Sequence, residues 1–207
     1  MSVCYRKLNF PKNPVKDVSS ILDQIENTDN QYHMFNVDPY QALTDEVLAA
    51  FDDLDLYPSS ATVFHLSIPT TPNDCLMHTD ILRVDNRWKS ITCGVNWEIN
   101  NINAKLSWWQ TTKPGYFPND PEYYWFNPHG VHFGGRFNRG IDPAKDREID
   151  SVDTLDSPLL VRTNIPHTVY IPDQDTREKV RCSISVRFNN DFKTWDEAVK
   201  YFSKVTR

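Results

Sequence analysis

The chain has 207 residues, of which 39% are hydrophobic and 13% aromatic, and its formal net charge is −6. This composition excludes a disordered chain, and the acidic balance argues against duplex nucleic acid or an anionic membrane surface as the main partner. The partner that we expect instead is a small molecule, an amino acid or a peptide.

The length predicts a single domain over residues 1–207. The N-terminal stretch lacks the apolar core of a signal peptide, and no run approaches the roughly 20 apolar residues of a membrane span. The four cysteines have no CxxC spacing, which fits a reducing compartment. We therefore expect a soluble, cytoplasmic protein.

Two amphipathic helices are predicted before the first strand. Residues 14–27 carry apolar side chains at helical spacing, and residues 42–54 repeat this pattern after Thr44, a plausible N-cap. Helices of this kind usually cover a sheet face. We expect residues 1–57 to form a helical N-terminal support.

Short strand patterns follow from residue 60 onward. They lie at residues 60–69, 76–84, 88–99 and 104–111, with a second group between residues 158 and 189. Short strands with turn-rich intervals favour a sandwich or barrel over alternating βα units. The prediction is a mostly β fold with flanking helices and a core formed by residues 60–109 and 158–189.

The segment 110–150 has no sustained periodicity but is rich in aromatic residues, proline and glycine. Long connections of this kind are usually functional, so we predict a lid that selects the substrate. The alternative is a surface flap packed by its own aromatic side chains. The candidate substrate contacts are His129, His132, Arg136 and, on the preceding strand, Trp109.

A third helix is predicted at residues 194–205. Thr194 and Glu197 have the spacing of a capping box, and apolar residues follow at helical spacing. We expect this C-terminal helix to pack against the outside of the sheet.

The strand pattern at residues 181–188 separates two kinds of side chain. One face is apolar, and the other face presents Arg181, Ser183, Ser185 and Arg187. The polar face borders either solvent or a polar pocket. In the earlier strand, Asn96 is a candidate cosubstrate-binding residue, because a buried amide must be satisfied and a cosubstrate carboxylate or keto oxygen would do so, although a hydrogen bond to a loop would satisfy it equally well.

A candidate metal site combines residues from two predicted strands. His78 and Asp80 are two residues apart, so on a strand they share a face with roughly 6.6 Å between their Cα atoms. His167 lies in another strand, where a hydrogen-bonded core histidine is the alternative. Two imidazoles and one carboxylate suit non-haem Fe(II). His129 and His132 compete as a metal pair, but the glycines around them argue against the helical turn that the pair requires.

The order His78-x-Asp80, Pro166-His167 and Arg181-x-Ser183 resembles the Fe(II)- and 2-oxoglutarate-dependent oxygenases. The stretches HTDILRV, ITCGVNWEINN, LSWW, DSPLLVRTNIPHTVYI and VRCSISVRF are similar to short bacterial and phage members of that superfamily. The similarity covers residues 75–188 except for most of 110–150. It implies a double-stranded β-helix (jelly-roll, cupin-like) core.

The resemblance also implies the roles of the site residues. His78, Asp80 and His167 would bind Fe(II), Arg181 with Ser183 would hold the 5-carboxylate of 2-oxoglutarate, and Arg187 would reach its 1-carboxylate end. The implied activity is hydroxylation of a C–H bond by O2, with release of succinate and CO2. Two alternatives stay open: a non-catalytic β-helix protein that binds a carboxylate or a partner, and a cupin-type metalloenzyme that does not use 2-oxoglutarate.

Overall fold

The computed structural model describes residues 3–26, 32–66, 77–84, 87–111, 133–139, 141–172 and 181–207. The described part of the chain is mostly β, with two antiparallel sheets and a few helices. The strands in chain order are β1 (Tyr5–Lys7), β2 (Tyr32–Val37), β3 (Pro58–Leu66), β4 (Met77–Val84), β5 (Arg87–Ser90), β6 (Cys93–Glu98), β7 (Lys105–Thr111), β8 (Phe133–Arg139), β9 (Asp146–Asp153), β10 (Leu159–Arg162), β11 (His167–Tyr170) and β12 (Arg181–Phe188).

Six strands form the first sheet, in the order β1-β10-β6-β12-β3-β2. The second sheet has the order β5-β4-β11-β7-β9, and β8 also pairs with β4. Consecutive strands often lie in different sheets, so the chain passes repeatedly between them. These crossings bring residues distant in sequence to one region between the sheets.

Helices cover the outer face of the first sheet. They are α1 (Val18–Glu26), α2 (Pro39–Ala42), α3 (Asp45–Asp52) and α4 (Trp195–Tyr201). Phe51 and Phe202 are fully buried with Trp97 of β6, in one cluster that also contains Ile184 of β12. Burial of each such side chain contributes about 1.5–3 kcal/mol to the free energy of unfolding. The apolar alternation of β12 is therefore explained by helix packing on one face.

A smaller apolar cluster lies between the two sheets. It joins Leu159 and Val161 of β10 to Leu106 and Trp108 of β7. The Trp108 indole N–H donates to the Arg162 carbonyl over 2.7 Å, which satisfies its one polar atom inside the cluster. This cluster holds the two sheets together. The polar face of β12 lies in a different part of the space between the sheets.

The predicted C-terminal helix is confirmed with a shorter α-helical part. The helix α4 ends at Tyr201, and residues 202–205 continue as a 3₁₀ turn. Thr194 caps its start by accepting from the Glu197 backbone N–H, and Trp195 and Ala198 join the core of the first sheet. The N-cap at Thr44 is also confirmed, since its hydroxyl accepts from the Val47 N–H.

Two boundary predictions need correction. The N-terminal part is not only helical, because β1 and β2 add strands to the first sheet and α1 starts at Val18. The segment 110–150 is not a single loop, because β8 and the start of β9 lie within it. Among the described strands, β9 (DREIDSVD) pairs with β7 alone and so lies at an edge of the second sheet. Most of its side chains face solvent, which explains why its sequence lacks a regular apolar alternation. Residues 112–132 lie outside the described residues, and the lid prediction for them stays a prediction.

No helix among the described residues has the length and apolar character required to cross a lipid bilayer.

The buried thiols give a prediction about chemical reactivity. Burial raises the pKa of Cys4, Cys93 and Cys182 to about 12 in each case, so almost no thiolate forms at pH 8. We expect iodoacetamide at pH 8 to leave all three unmodified in the native protein and to modify them in guanidinium chloride, as read by peptide mass spectrometry. Equal labelling rates in the two conditions would contradict their burial.

Candidate metal site

The structure brings His78, Asp80 and His167 together, and we call these residues the metal triad. Strands β4 and β11 are neighbours in the second sheet, and His167 is the register partner of His78. The two imidazole centroids are 4.4 Å apart. One ligand atom from each residue of the triad lies within 4.8 Å of the other two. Among the described residues, this is the group of His, Cys, Asp or Glu side chains that could hold a metal ion.

Asp80 has its two carboxylate oxygens in different surroundings. Its Oδ1 atom lies 3.6 Å from His167 Nε2 and 3.8 Å from His78 Nε2, which is too far for hydrogen bonds. Its Oδ2 atom accepts a hydrogen bond from Arg187 Nη2. Burial alone would raise the pKa of Asp80, but Arg187 and the two histidines outweigh burial and lower the pKa. The carboxylate is therefore charged at neutral pH and directs Oδ1 toward the imidazoles.

His167 is prepared as a ligand by its backbone contact. Its Nδ1 atom lies 2.9 Å from the Ile165 carbonyl oxygen, which can only accept, so Nδ1 carries the proton and Nε2 keeps its lone pair. Burial, with a further contribution from His78, lowers the pKa of His167 to about 4 despite the nearby Asp80 carboxylate. The neutral imidazole is the form that binds metals.

His78 lies at the solvent side of the site. The solvent-exposed fraction of its side chain is 24%, whereas the exposed fractions of the Asp80 and His167 side chains are 6% and 8%. A ligand or a metal ion would therefore approach from the His78 side. Two imidazoles and one carboxylate fit a divalent transition metal, since they leave further coordination positions for other ligands.

A hydrogen-bonded chain supports the triad from the first sheet. Arg187 donates through Nη1 to the Ser185 hydroxyl, which in turn donates to the Asn96 side-chain oxygen over 2.5 Å. Ser185 and Asn96 are register partners on β12 and β6. The Asn96 side-chain oxygen thus accepts from a side chain of the site, and Arg187 links both sheets through Asp80.

Gly94 makes room for the Arg187 guanidinium. A Cβ atom at this position would lie 1.6 Å from Arg187 Nη1 and 2.5 Å from its Cζ atom. Such contacts do not occur in proteins, so a larger residue would displace the guanidinium. The absence of a side chain at Gly94 therefore permits the contact between Arg187 and Asp80.

We expect Gly94→Ala to weaken Zn(II) binding about 10–100-fold, because it breaks an outer contact of a metal-ligating carboxylate. Isothermal titration calorimetry measures this change. The control is the same glycine substitution made in the Arg187→Ala variant. There it should have almost no further effect on Zn(II) affinity. Equal losses in both backgrounds would show that Gly94 acts independently of Arg187.

Arg181 lies at the opposite end of the same face of β12. Six residues of strand separate the Cα atoms of Arg181 and Arg187 by about 20 Å. The Arg181 Nε atom donates to Glu98 Oε2 over 2.8 Å, and the side chains of both residues are buried. The guanidinium predicted to hold a cosubstrate carboxylate is thus already paired with a carboxylate of the chain. Ser183 is buried on the same face, as the register partner of Glu98.

Of the four predicted substrate contacts, Trp109 lies outside this cluster. Trp109 packs with Met77, and its indole N–H donates to the Thr168 hydroxyl. Met77 and Thr168 each adjoin a triad residue along a strand and so point to the opposite face, which corrects the expectation for Trp109. The backbone of Arg136 lies in β8 opposite Thr79. His129 and His132 lie outside the described residues.

Two residues of the site, Gly94 and Glu98, were not named in the sequence analysis, and Ser185 was named there without a role. Period-two alternation is the signal that could have placed Gly94 and Glu98 on the face of Asn96, as it placed Ser185 between the two arginines. That signal gives the face of each residue but not its partner. The partners follow from the pairing of β6 with β12.

No protein-family model, curated protein or solved structure matches this chain at a significant level.

Proposed function

We propose that this chain is an Fe(II)- and 2-oxoglutarate-dependent dioxygenase that hydroxylates a C–H bond of a small molecule, an amino acid or a peptide. The observation that carries the proposal is the convergence of His78, Asp80 and His167 within 4.8 Å. Two histidines and one carboxylate with open positions are typical of non-haem Fe(II) oxygenases.

The strand order supports the finer description of the fold as a double-stranded β-helix. Strands β10-β6-β12-β3 form one four-stranded row, and β4-β11-β7-β9 form the other. Along the chain these eight strands alternate between the rows, except that β7 and β9 are consecutive in the second. This alternation supports the proposal of a jelly roll with cupin-like character, a fold that holds ligands between its sheets.

The residues of the chain have separable roles in this proposal. Bound Fe(II) with 2-oxoglutarate and O2 would supply the oxidation of the substrate, with release of succinate and CO2. His167 holds its lone pair in place through Ile165, and Arg187 orients the Asp80 carboxylate. Asn96 and Ser185 fix the Arg187 guanidinium, and Arg181 is the cation that would meet the 5-carboxylate.

The acidic net charge of −6 supports a small or peptidic substrate over a nucleic acid. The partly exposed side chain of His78 gives access to the triad from one side. Substrate selection would then depend on the segments that border this side.

A second candidate is a cupin-type metalloenzyme that does not use 2-oxoglutarate. The specific observation in its favour is the pairing of Arg181 with Glu98, which neutralises the cation that a dicarboxylate needs. This candidate keeps the metal triad and changes only the cosubstrate.

Anaerobic reconstitution with Fe(II), followed by addition of 2-oxoglutarate and O2, tests the proposal. We expect slow 2-oxoglutarate consumption and an equal amount of succinate even without substrate, and faster turnover when a substrate from a compound library is present. Iron binding without succinate formation would favour the second candidate. Absence of iron binding would favour a non-catalytic carboxylate-binding or partner-binding protein.

A further inference from the structure

The pair formed by Glu98 and Arg181 is an internal carboxylate–guanidinium contact at one end of the polar face. It joins two neighbouring strands, with 2.8 Å between Arg181 Nε and Glu98 Oε2. The exposed fractions of the two side chains are 7% for Arg181 and 2% for Glu98. The two charges are therefore compensated by each other and not by water.

Among the described residues near Glu98, little besides Arg181 could balance a second negative charge. Arg181 faces it from β12, and the Thr154 hydroxyl faces it from the 3₁₀ turn at residues 154–156. The Ser157 hydroxyl accepts from the Glu98 backbone N–H. The Cys182 thiol is also near, but it belongs to the apolar face of β12. Among these described neighbours, Arg181 is the cation.

A ligand carboxylate at Arg181 would place two anions on one buried guanidinium. An uncompensated buried charge is strongly unfavourable, and a buried acid avoids it by taking up a proton. Burial already raises the pKa of Glu98 against the opposing charge of Arg181. The same burial favours the protonated form of Glu98 once a ligand carboxylate takes over Arg181.

We propose that Glu98 competes with the distal carboxylate of the cosubstrate for Arg181, so that binding of a dicarboxylic 2-oxo acid transfers Arg181 to the ligand and protonates Glu98. This inference rests on the proposed function and names the residue that determines cosubstrate selection. The proton comes from solvent, and no covalent bond changes. A 2-oxo acid without a distal carboxylate leaves the pair intact and takes up no proton at Glu98.

Calorimetry on the Zn(II)-loaded protein tests the proton uptake without turnover. 2-Oxoglutarate is compared with 2-oxovalerate, which has the same metal-binding end and no distal carboxylate. Titrations at pH 8 in two buffers of different ionisation enthalpy should show about one more proton taken up with 2-oxoglutarate. Its Kd should rise about tenfold per pH unit relative to that of 2-oxovalerate. Equal proton uptake for both ligands would overturn the inference.

The variant Glu98→Gln gives the second measurement, because the amide oxygen can still accept from Arg181 Nε. We expect it to tighten 2-oxoglutarate binding at pH 8 at least about tenfold and to leave 2-oxovalerate within about twofold. The control Glu148→Gln, at the exposed pair with Lys105, should change neither. Unchanged or weaker 2-oxoglutarate binding by Glu98→Gln, with normal 2-oxovalerate binding, would overturn the inference alone. Failure of both oxo acids to bind any of these proteins would overturn the proposed function and this inference together.

Discussion

Replacing His78 by alanine is expected to abolish metal binding at neutral pH, and with it succinate release, while the metal-free protein stays folded. His78 supplies one of three ligand atoms, and its side chain keeps 24% of its exposure, so its loss costs little packing. The loss in metal affinity should exceed the roughly 10–100-fold that removal of an outer partner costs. Zn(II) calorimetry measures the affinity, and the melting temperature of the metal-free protein measures the stability.

The matched control for this substitution is Thr79→Ala. Thr79 is the next residue on β4 and points to the opposite face, where it cannot reach the triad. We expect this variant to keep the Zn(II) affinity of the unmodified protein. A His78→Ala protein that binds Zn(II) as tightly as the control does would refute the triad. His167→Ala should also abolish Zn(II) binding. Because it removes a buried ring that contacts Ile165, it is also expected to lower the stability of the protein, so its effect on metal ligation is harder to separate.

The local part of the site could be predicted from the sequence. The two-residue spacing of His78 and Asp80 and the alternation of β12 depend only on the geometry of an extended chain. The convergence of His167 with them depends on the pairing of β11 with β4, which joins segments far apart in sequence. Local patterns do not specify such pairings, and only the order of motifs in a resembling family indicated this one.

The side-chain partners of Arg181 and Arg187 could not be predicted from the sequence either, because they too depend on strand pairing. Alternation places Glu98 and Arg181 on one face each, but their contact needs β6 beside β12. The pattern at residues 88–99 also predicted one strand. In the structure this segment contains parts of two strands, β5 and β6, which belong to different sheets. The chain crosses at Ile91 and Thr92, where the Thr92 hydroxyl donates to the Phe192 carbonyl. A tertiary contact thus interrupts a strand whose local pattern is continuous.

Arg187→Ala is expected to lower the free energy of unfolding of the metal-free protein by about 3–5 kcal/mol. Arg187 and Asp80 form a buried pair with side-chain exposures of 8% and 6%. Removal of the guanidinium leaves the Asp80 carboxylate without its opposite charge and Ser185 without its donor. For a chain of this length the loss corresponds to a fall in Tm of roughly 10 °C, which differential scanning fluorimetry detects.

Added Zn(II) should stabilise this variant less than it stabilises the unmodified protein, because the outer contact of the metal-ligating Asp80 carboxylate is lost and the Zn(II) affinity falls with it. At the same excess of Zn(II), the rise in Tm is therefore expected to be smaller for Arg187→Ala than for the unmodified protein. Lys7→Ala is the control for removing an ion pair at the surface, since Lys7 and Asp156 keep 40% and 44% of their exposure. That control should cost no more than about 1 kcal/mol and show no altered response to Zn(II). If Arg187→Ala behaved like Lys7→Ala in both measurements, Arg187 would not be the residue that balances the charge of Asp80.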